Sequence, residues 1–306
     1  MSRREREKVG PELAALHERF VDQFGKDAGP ILQRASDLIV VREIIPGALD
    51  RYATEIEDGA SAFTASNHIS LADALAEAKK AMEVRVRTKG FLENYDLVIA
   101  KSLAAGRQGS MNSLYFEQTA PFLNNRGINM DLEITTRNDI RNGRGERSKV
   151  DLEEVYFGDA PYDRKGFAIY LEGTQKGGRR DQDGNIYGMR PIPLENLGTQ
   201  YIRAVLAKGG SVVILPSAIV GTNQLVNPSP PFYPRDEALP YLLGDVEETP
   251  QNIDPIELLI GEPFVIWRTD QVVNGDDLAR GIAELLHPEY PEYAGVYAAT
   301  AEAASS

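Results

Sequence analysis

The residue pair best suited to chemistry in this sequence is a histidine followed five positions later by an aspartate, His68 and Asp73. Positions five apart in a continuous helix differ by about 140°, so the side chains can meet only if the histidine lies in a turn and the aspartate in the first helical turn. The aspartate could then accept from one imidazole nitrogen and leave the other as a general base. A helix cap is the simpler interpretation, because Ser70 and Asp73 fit the S-x-x-D capping pattern, and a cap would also hold the pair in place.

The two other histidines are weaker candidates for chemistry. His17 lies in a predicted helix beside Glu18 and Arg19, and we expect it to be exposed. His287 stands before Pro288 at a predicted helix end, where an imidazolium would suit the helix dipole. The sequence contains no H-E-x-x-H spacing and no cysteine, so it predicts neither a metal site nor a cysteine nucleophile.

A glycine-rich basic segment follows a predicted strand over residues 167–171. Its glycines let backbone N–H groups approach an anion and its cationic side chains add positive charge, which favours a small phosphate as ligand. A solvated turn explains the same residues equally well. A second basic stretch, residues 137–149, is predicted to be a surface loop whose first residue could face the same site. The candidate phosphate ligands are Lys176, Arg179, Arg180 and Arg137.

Strands and helices alternate from about residue 55 onward, and these elements must position the candidate groups. The alternation predicts an α/β fold with a mixed sheet flanked by helices. A buried strand is predicted over 211–215, ending at the proline that follows it. The predicted organisation is an N-terminal helical segment over residues 1–55, with helices over 11–24 and about 28–41, followed by an α/β domain over residues 56–306.

The formal net charge of -13 argues against a general nucleic-acid or anionic-membrane surface. No stretch reaches the roughly 18 apolar residues of a membrane span, which predicts no integral membrane segment and leaves peripheral contact open. The N-terminal residues lack the apolar region of a signal peptide, so a cytoplasmic location is expected. The plastid stroma stays open if a transit peptide precedes this chain.

Four blocks in order along residues 60–270 resemble motifs of the glycerolipid acyltransferase family. The residues from Asn67 to Asp73 match its N-H-x4-D motif in full. Within the family, the run from Gly177 to Asp181 is similar to the G-G-R-D-R run of the soluble, plastid-type glycerol-3-phosphate acyltransferases, although R-R-D stands here in place of R-D-R. The remaining blocks are Glu172, Gly173 and Thr174 for the E-G-T motif, residues 213–219 for an apolar-proline block, and residues 260–263 for a G-E-P segment.

The resemblance implies an acyltransferase that moves a fatty acyl group from acyl-CoA or acyl-carrier protein to glycerol 3-phosphate, the first step of glycerolipid synthesis. His68, oriented by Asp73, would act as general base, and no cofactor or metal would be needed. The basic residues named above would hold the phosphate, Glu172, Gly173 and Thr174 would shape the pocket floor, and nearby backbone donors would stabilise the oxyanion.

Two alternatives stay open at this level. The acceptor could be lysophosphatidate or another hydroxyl or amine compound, although a lipid acceptor is usually reached through a hydrophobic anchor. The chain could also be a catalytically silent protein of the same fold that binds an acyl carrier or a lipid. Neither the acyl donor nor the preferred chain length follows from the sequence.

Overall fold

The protein is an α/β structure in which helices flank a mixed sheet, as the alternating patterns predict. The computed structural model describes residues 10–89, 94–98, 111–129, 165–171, 179–180, 186–187, 189, 197–228, 232–271 and 274–298. The helices within these ranges are α1 (Pro11–Lys26), α2 (Gly29–Asp37), α3 (Ala48–Glu57), α4 (Asp73–Arg87), α5 (Met111–Asn124), α6 (Leu197–Ala207), α7 (Leu239–Leu243), α8 (Gly275–Leu286) and α9 (Pro291–Ala294). The strands are β1 (Ile39–Glu43), β2 (Ser61–Ser66), β3 (Asn94–Val98), β4 (Ile128–Asn129), β5 (Lys165–Tyr170), β6 (Arg179–Arg180), β7 (Ile186–Tyr187), β8 (Val212–Val220), β9 (Ile256–Ile260) and β10 (Phe264–Ile266).

Strand β8 is central to the sheet that carries the candidate site. The strand order is β1-β9-β8-β2-β5-β3-β4, and β10 also pairs with β8. β2 runs parallel to β8 and to β5, whereas β9 and β10 run antiparallel to β8. The carboxyl ends of β2, β5 and β8 therefore lie at one edge of the sheet. In open α/β sheets this is the edge at which ligands bind, and the segment carrying His68 leaves β2 there.

The N-terminal segment contains a strand that the sequence patterns do not predict. Helix α2 ends at Asp37, and residues 39–43 form β1, which pairs in parallel with β9. The prediction of a helix over residues 28–41 is therefore wrong at its carboxyl end. A run of three β-branched residues begins at Ile39; such side chains are stiff in a helix and pack well on a pleated surface, and Ile39 is fully buried.

Apolar clusters cover both faces of the sheet. Along β2 the side chains alternate, so that Ala62 joins the cluster packed against α1 to α5, and Phe63 joins the cluster packed against α6 and α8. Phe20 of α1 lies in the same cluster as Leu215 of β8. The predicted helical segment thus shares its core with the predicted α/β domain, and the boundary between them at residue 55 stays a prediction. None of the helices within the described ranges has the length and apolar character needed to cross a membrane.

Strand β8 continues past Pro216, where the sequence analysis predicts its end. Up to Pro216 the strand pairs with β2, and from Ser217 to Val220 it pairs with β9 on its other side. The missing proline N–H thus falls where the strand changes partners, and the Pro216 carbonyl accepts from the N–H of Gly261 at 2.9 Å. This extension brings the end of β8 next to the segment that follows β2.

Candidate functional site

His68 and Asp73 lie in the short connection between β2 and α4. β2 ends at Ser66, and Asp73 is the first residue of α4. The Nδ1 atom of His68 lies 2.8 Å from the Oδ2 atom of Asp73, which is the contact that their spacing allows. Because a carboxylate oxygen accepts, the imidazole donates from Nδ1, and the neutral ring then carries its lone pair on Nε2.

The carboxylate of Asp73 is fully buried and is surrounded by donors. Its Oδ2 atom accepts from the backbone N–H groups of Ile69 at 2.6 Å and Ser70 at 2.9 Å, in addition to the imidazole of His68. Its Oδ1 atom accepts from the hydroxyl of Thr222, which follows β8. Rotation of the carboxylate would break bonds at both oxygens, so the direction of the His68 ring is set by contacts from two parts of the chain.

The helix cap predicted at Ser70 and Asp73 forms only in part. Asp73 accepts from the N–H of Ser70, as in a capping box, but the N-cap residue is Ala72 and makes no side-chain cap hydrogen bond. The Ser70 hydroxyl instead accepts from the N–H of Ala72 at 3.1 Å. The aspartate therefore organises the turn before the helix. Since the N–H groups of Ile69 and Ser70 are bound to Asp73, they do not serve as the backbone donors expected for an oxyanion.

Asn67 joins the turn to β8 through its side-chain amide. Its Nδ2 donates to the carbonyl of Ile219 at 2.9 Å, and its Oδ1 accepts from the N–H of the same residue at 2.7 Å. The amide thus copies the pairing of a peptide unit and extends the contact between the β2 end and β8 after Pro216. This gives the first residue of the N-H-x4-D block a structural role directly before His68.

The ring of Tyr170, at the end of β5, stacks on the imidazole of His68. The ring centroids are 4.4 Å apart and the planes differ by 14°. Burial, with smaller effects from the charges of Glu77 and Asp73, raises the pKa of the Tyr170 phenol well above its ordinary value. Its hydroxyl is buried and has no hydrogen-bond partner among the described residues. The contribution of Tyr170 to the site is therefore the face of its ring, which restricts the plane of the imidazole.

A buried polar network lies behind the turn, between α4 and the sheet. Lys80 and Glu77 form an ion pair of 2.7 Å, with side chains that are 1% and 2% exposed. Lys80 also donates to the hydroxyl of Ser217 at 2.7 Å, and the hydroxyl of Ser66 donates to Glu77. Burial lowers the pKa of Lys80, while the neighbouring Glu77 opposes this shift. Asp73, Glu77 and Lys80 share one face of α4, so the network holds the helix that begins with Asp73.

The contact between Ser217 and Lys80 resembles a serine–lysine nucleophile pair, but its position argues against that role. The Ser217 residue is 0% and the Lys80 residue 1% exposed, so a substrate carbonyl cannot reach the serine oxygen in this structure. The Ser217 hydroxyl also lies 3.2 Å from the carbonyl of Ala65, to which it donates. We therefore assign the pair to packing between α4 and the sheet.

The predicted phosphate ligands are described only in small part. Arg179 and Arg180 form β6, which pairs antiparallel with β7. The pairing describes the backbone of these two arginines, and their place relative to His68 stays a prediction. The remaining predicted binding residues lie outside the described residues: Lys176, Arg137, Glu172, Gly173 and Thr174. The phosphate site and the pocket floor therefore stay predictions.

The two other histidines differ in how well they match expectation. His287 is the C-cap residue of α8, at a helix end as predicted. The side chain of His17 is 7% exposed, so the prediction of an exposed side chain is wrong: its Nε2 atom lies 3.0 Å from Asp236, and its ring packs edge-on against Tyr233. Within the described ranges, no three side chains of His, Asp or Glu converge as metal ligands.

Sequence reasoning missed several residues that shape the site. Glu77 and Lys80 follow Asp73 by four and seven positions, which is the spacing of one helix face and could have marked them. Thr222 and Tyr170 carry no such signal, because they reach the turn from distant strands.

A comparison with protein-family models and with curated proteins finds no match for this chain.

Proposed function

We propose that the protein is an acyltransferase that moves a fatty acyl group from a thioester to the hydroxyl of glycerol 3-phosphate. The observation that supports this best is the contact of His68 with Asp73 at the carboxyl edge of the sheet, with donors at both oxygens of the carboxylate. A histidine aligned in this way is suited to take a proton from a hydroxyl. The resemblance of its surrounding block to the glycerolipid acyltransferases supplies the choice of substrate.

In the proposed reaction, His68 acts as general base through Nε2. The acceptor hydroxyl oxygen bonds to the thioester carbonyl carbon as its proton passes to Nε2. Collapse of the tetrahedral intermediate breaks the C–S bond, and the proton passes from the imidazolium to the leaving thiolate. Asp73 keeps Nδ1 protonated and stabilises the imidazolium. A general base that is positioned in this way raises the reaction rate by about 10²- to 10⁴-fold. The reaction written this way requires no cofactor and no covalent enzyme intermediate.

The acceptor phosphate would be held by basic residues of the glycine-rich segment. Arg179 and Arg180 take this role in the proposal, with Lys176 and Arg137 as further ligands. In a chain with a net charge of -13, a small dianion needs such a local cluster. Glu172, Gly173 and Thr174 would form the floor of the pocket.

The proposed donor is acyl-CoA or acyl-carrier protein, and the proposed location is the cytoplasm. Glycerol 3-phosphate and a carrier-bound acyl chain are both available in water, so the reaction needs no lipid acceptor within a bilayer. A lysophosphatidate acyltransferase, or a silent acyl-carrier-binding protein of the same fold, would give a different result in the assay described next.

A radiolabelled acyl-transfer assay tests the proposal. The acceptors are glycerol 3-phosphate, lysophosphatidate and other hydroxyl and amine compounds, each offered with acyl-CoA and with acyl-carrier protein. We expect labelled lysophosphatidate from glycerol 3-phosphate, and none above background with His68→Ala. The matched variant His17→Ala removes a second histidine that contacts an aspartate and should retain activity.

Each other outcome replaces the proposal with a specific alternative. Turnover of another acceptor alone would reject glycerol 3-phosphate and keep acyl transfer. Unchanged transfer by His68→Ala would reject the histidine as the base. Absence of transfer with every donor, together with binding of an acyl carrier, would identify a silent binding protein.

A further inference from the structure

We propose that Thr222 is the residue that positions Asp73, and through it His68, for the proposed reaction. This inference rests on the proposed function for its kinetic consequence, and on the contact itself for its structural one. The Thr222 hydroxyl donates to Oδ1 of Asp73 across a sequence separation of 149 residues. Thr222 is fully buried, so its hydrogen bond to Asp73 is shielded from solvent.

The two oxygens of Asp73 are held unequally. Oδ2 accepts from His68 and from the backbone N–H groups of Ile69 and Ser70, all within six residues of sequence. Among the described residues, the donor to Oδ1 is Thr222. Without that donor, a buried acceptor would be left unsatisfied, and the carboxylate could regain a bond only by turning its oxygens away from their present partners. Thr222 therefore fixes the plane in which the carboxylate of Asp73 faces His68.

The turn that carries Thr222 is itself held in place. Thr222–Gln224 is a single turn of 3-10 helix, entered through Gly221 at φ 83°. This is the left-handed region, and a Cβ on Gly221 would lie 3.1 Å from the carbonyl oxygen of Pro255, so glycine is required there. The Gln224 side chain accepts from the N–H of Asp254 at 2.8 Å, and Tyr293 donates to Asn223 at 3.1 Å. The hydroxyl of Thr222 is thus presented to Asp73 by a turn with little freedom.

This arrangement predicts a particular kinetic signature. Thr222 acts on the base through Asp73, so its loss should lower kcat and leave KM nearly unchanged. A hydrogen bond to a charged group corresponds to a loss of about 10- to 100-fold in kcat. The same loss should release the His68 ring from the tautomer with Nδ1–H, because the carboxylate that selects this tautomer would no longer be fixed.

Three variants test the inference. Thr222→Val keeps the shape and removes the donor, and Thr222→Ser keeps the donor. Thr64→Val is the matched control: Thr64 is also fully buried, lies on β2, and has a hydroxyl without a hydrogen-bond partner among the described residues. We expect the kcat loss in Thr222→Val alone. If Thr222→Val does not fold, Thr222→Ala serves as the second variant without the donor.

Nitrogen NMR of the histidine rings provides a readout that is independent of activity, with the His68 signals assigned by their loss in His68→Gln. The wild type should show His68 with Nδ1–H, and Thr222→Val should show a shift toward the other tautomer. Equal kcat in Thr222→Val and wild type, or unchanged ring signals, would overturn the inference. An inactive wild type whose His68 ring responds to Thr222→Val would reject acyl transfer and still support the positioning role.

Discussion

Among the described residues, His68 and His17 each contact an aspartate, and the two pairs differ in how far that aspartate is exposed. In the first pair, Nδ1 of His68 lies 2.8 Å from Asp73; in the second, Nε2 of His17 lies 3.0 Å from Asp236. Both histidine side chains are 7% exposed. The aspartates differ: the Asp73 side chain is 0% exposed, whereas that of Asp236 is 53% exposed.

The difference shows that a histidine–aspartate contact is by itself weak evidence for a catalytic base. The carboxylate of Asp73 is bound at both oxygens by donors from two parts of the chain, so it can hold one imidazole orientation. Asp236 stands largely in water, where its contact with His17 competes with solvent. The Nδ1 atom of His17 is also buried without a hydrogen-bond partner among the described residues, which fits a packed side chain rather than a proton carrier.

The largest effect is expected from exchanging each aspartate for asparagine. Asp73→Asn should lower kcat for acyl transfer by about 10²- to 10⁴-fold, because a neutral amide does not stabilise the imidazolium and its NH2 group cannot accept a hydrogen bond where a carboxylate oxygen does. Asp236→Asn should leave kcat within about twofold of wild type. Steady-state kinetics on both variants decide this, and equal losses would remove the distinction between the two pairs.

The interior behind Asp73 gives the second prediction, which concerns stability. Lys80→Met leaves the buried Glu77 carboxylate unpaired and should lower the free energy of unfolding by about 3–5 kcal/mol. Adding Glu77→Gln should recover most of that loss. The control is Arg268→Met, which breaks an exposed ion pair with Asp270 and should cost less than about 1 kcal/mol. Urea unfolding measures all three, and a Lys80→Met variant as stable as wild type would contradict the prediction.

The tyrosines beside the two histidines give a smaller effect. Tyr170 stacks on His68, whereas Tyr233 meets His17 edge-on at a centroid distance of 5.1 Å. Tyr170→Leu removes the stacked face and should lower kcat by about 2- to 10-fold. Tyr170→Phe keeps the face and should behave as wild type, because the hydroxyl has no hydrogen-bond partner among the described residues. Tyr233→Leu should not change kcat; a loss there would place His17 in the reaction.

The smallest effect concerns the turn that supports Thr222. Burial raises the pKa of Tyr293, which donates to Asn223 in that turn, from 10.0 to about 12. Because the pKa of Tyr293 is higher in the folded state, the unfolded chain loses the phenol proton first as the pH rises. The contribution of Tyr293 to the free energy of unfolding is therefore present below about pH 10 and is lost as the pH rises toward about 12. Tyr293→Phe should therefore lose less stability across this window than wild type, by roughly 1 kcal/mol near its middle.

Urea unfolding midpoints of wild type and Tyr293→Phe, each measured at both ends of the window, test this prediction. Tyr290, whose hydrogen bond to Glu257 raises its pKa to about 12, should keep part of the alkaline loss in both proteins. Parallel pH profiles for the two proteins would show that Tyr293 does not titrate with folding.

Sequence patterns predicted the α/β class, the mixed sheet and the contact between His68 and Asp73. They failed where the outcome depends on a distant partner. Residues 39–43 became a strand because β9 lies alongside them, and β8 continued past Pro216 because the strand changes neighbours there. The expected exposure of His17 was wrong because the charged residues beside it say nothing about the segment near Asp236 that packs against that helix face.

The sequence by itself determined the histidine–aspartate pair, because five residues of spacing, a turn and a helix start are local properties of the chain. The tertiary structure alone decided how that pair is held. Thr222 and Tyr170 come from the ends of β8 and β5, and they meet at His68 and Asp73 because parallel strands place their carboxyl ends at one edge of the sheet. Contacts between residues so far apart in the sequence produce no local sequence pattern, so only the folded structure shows them.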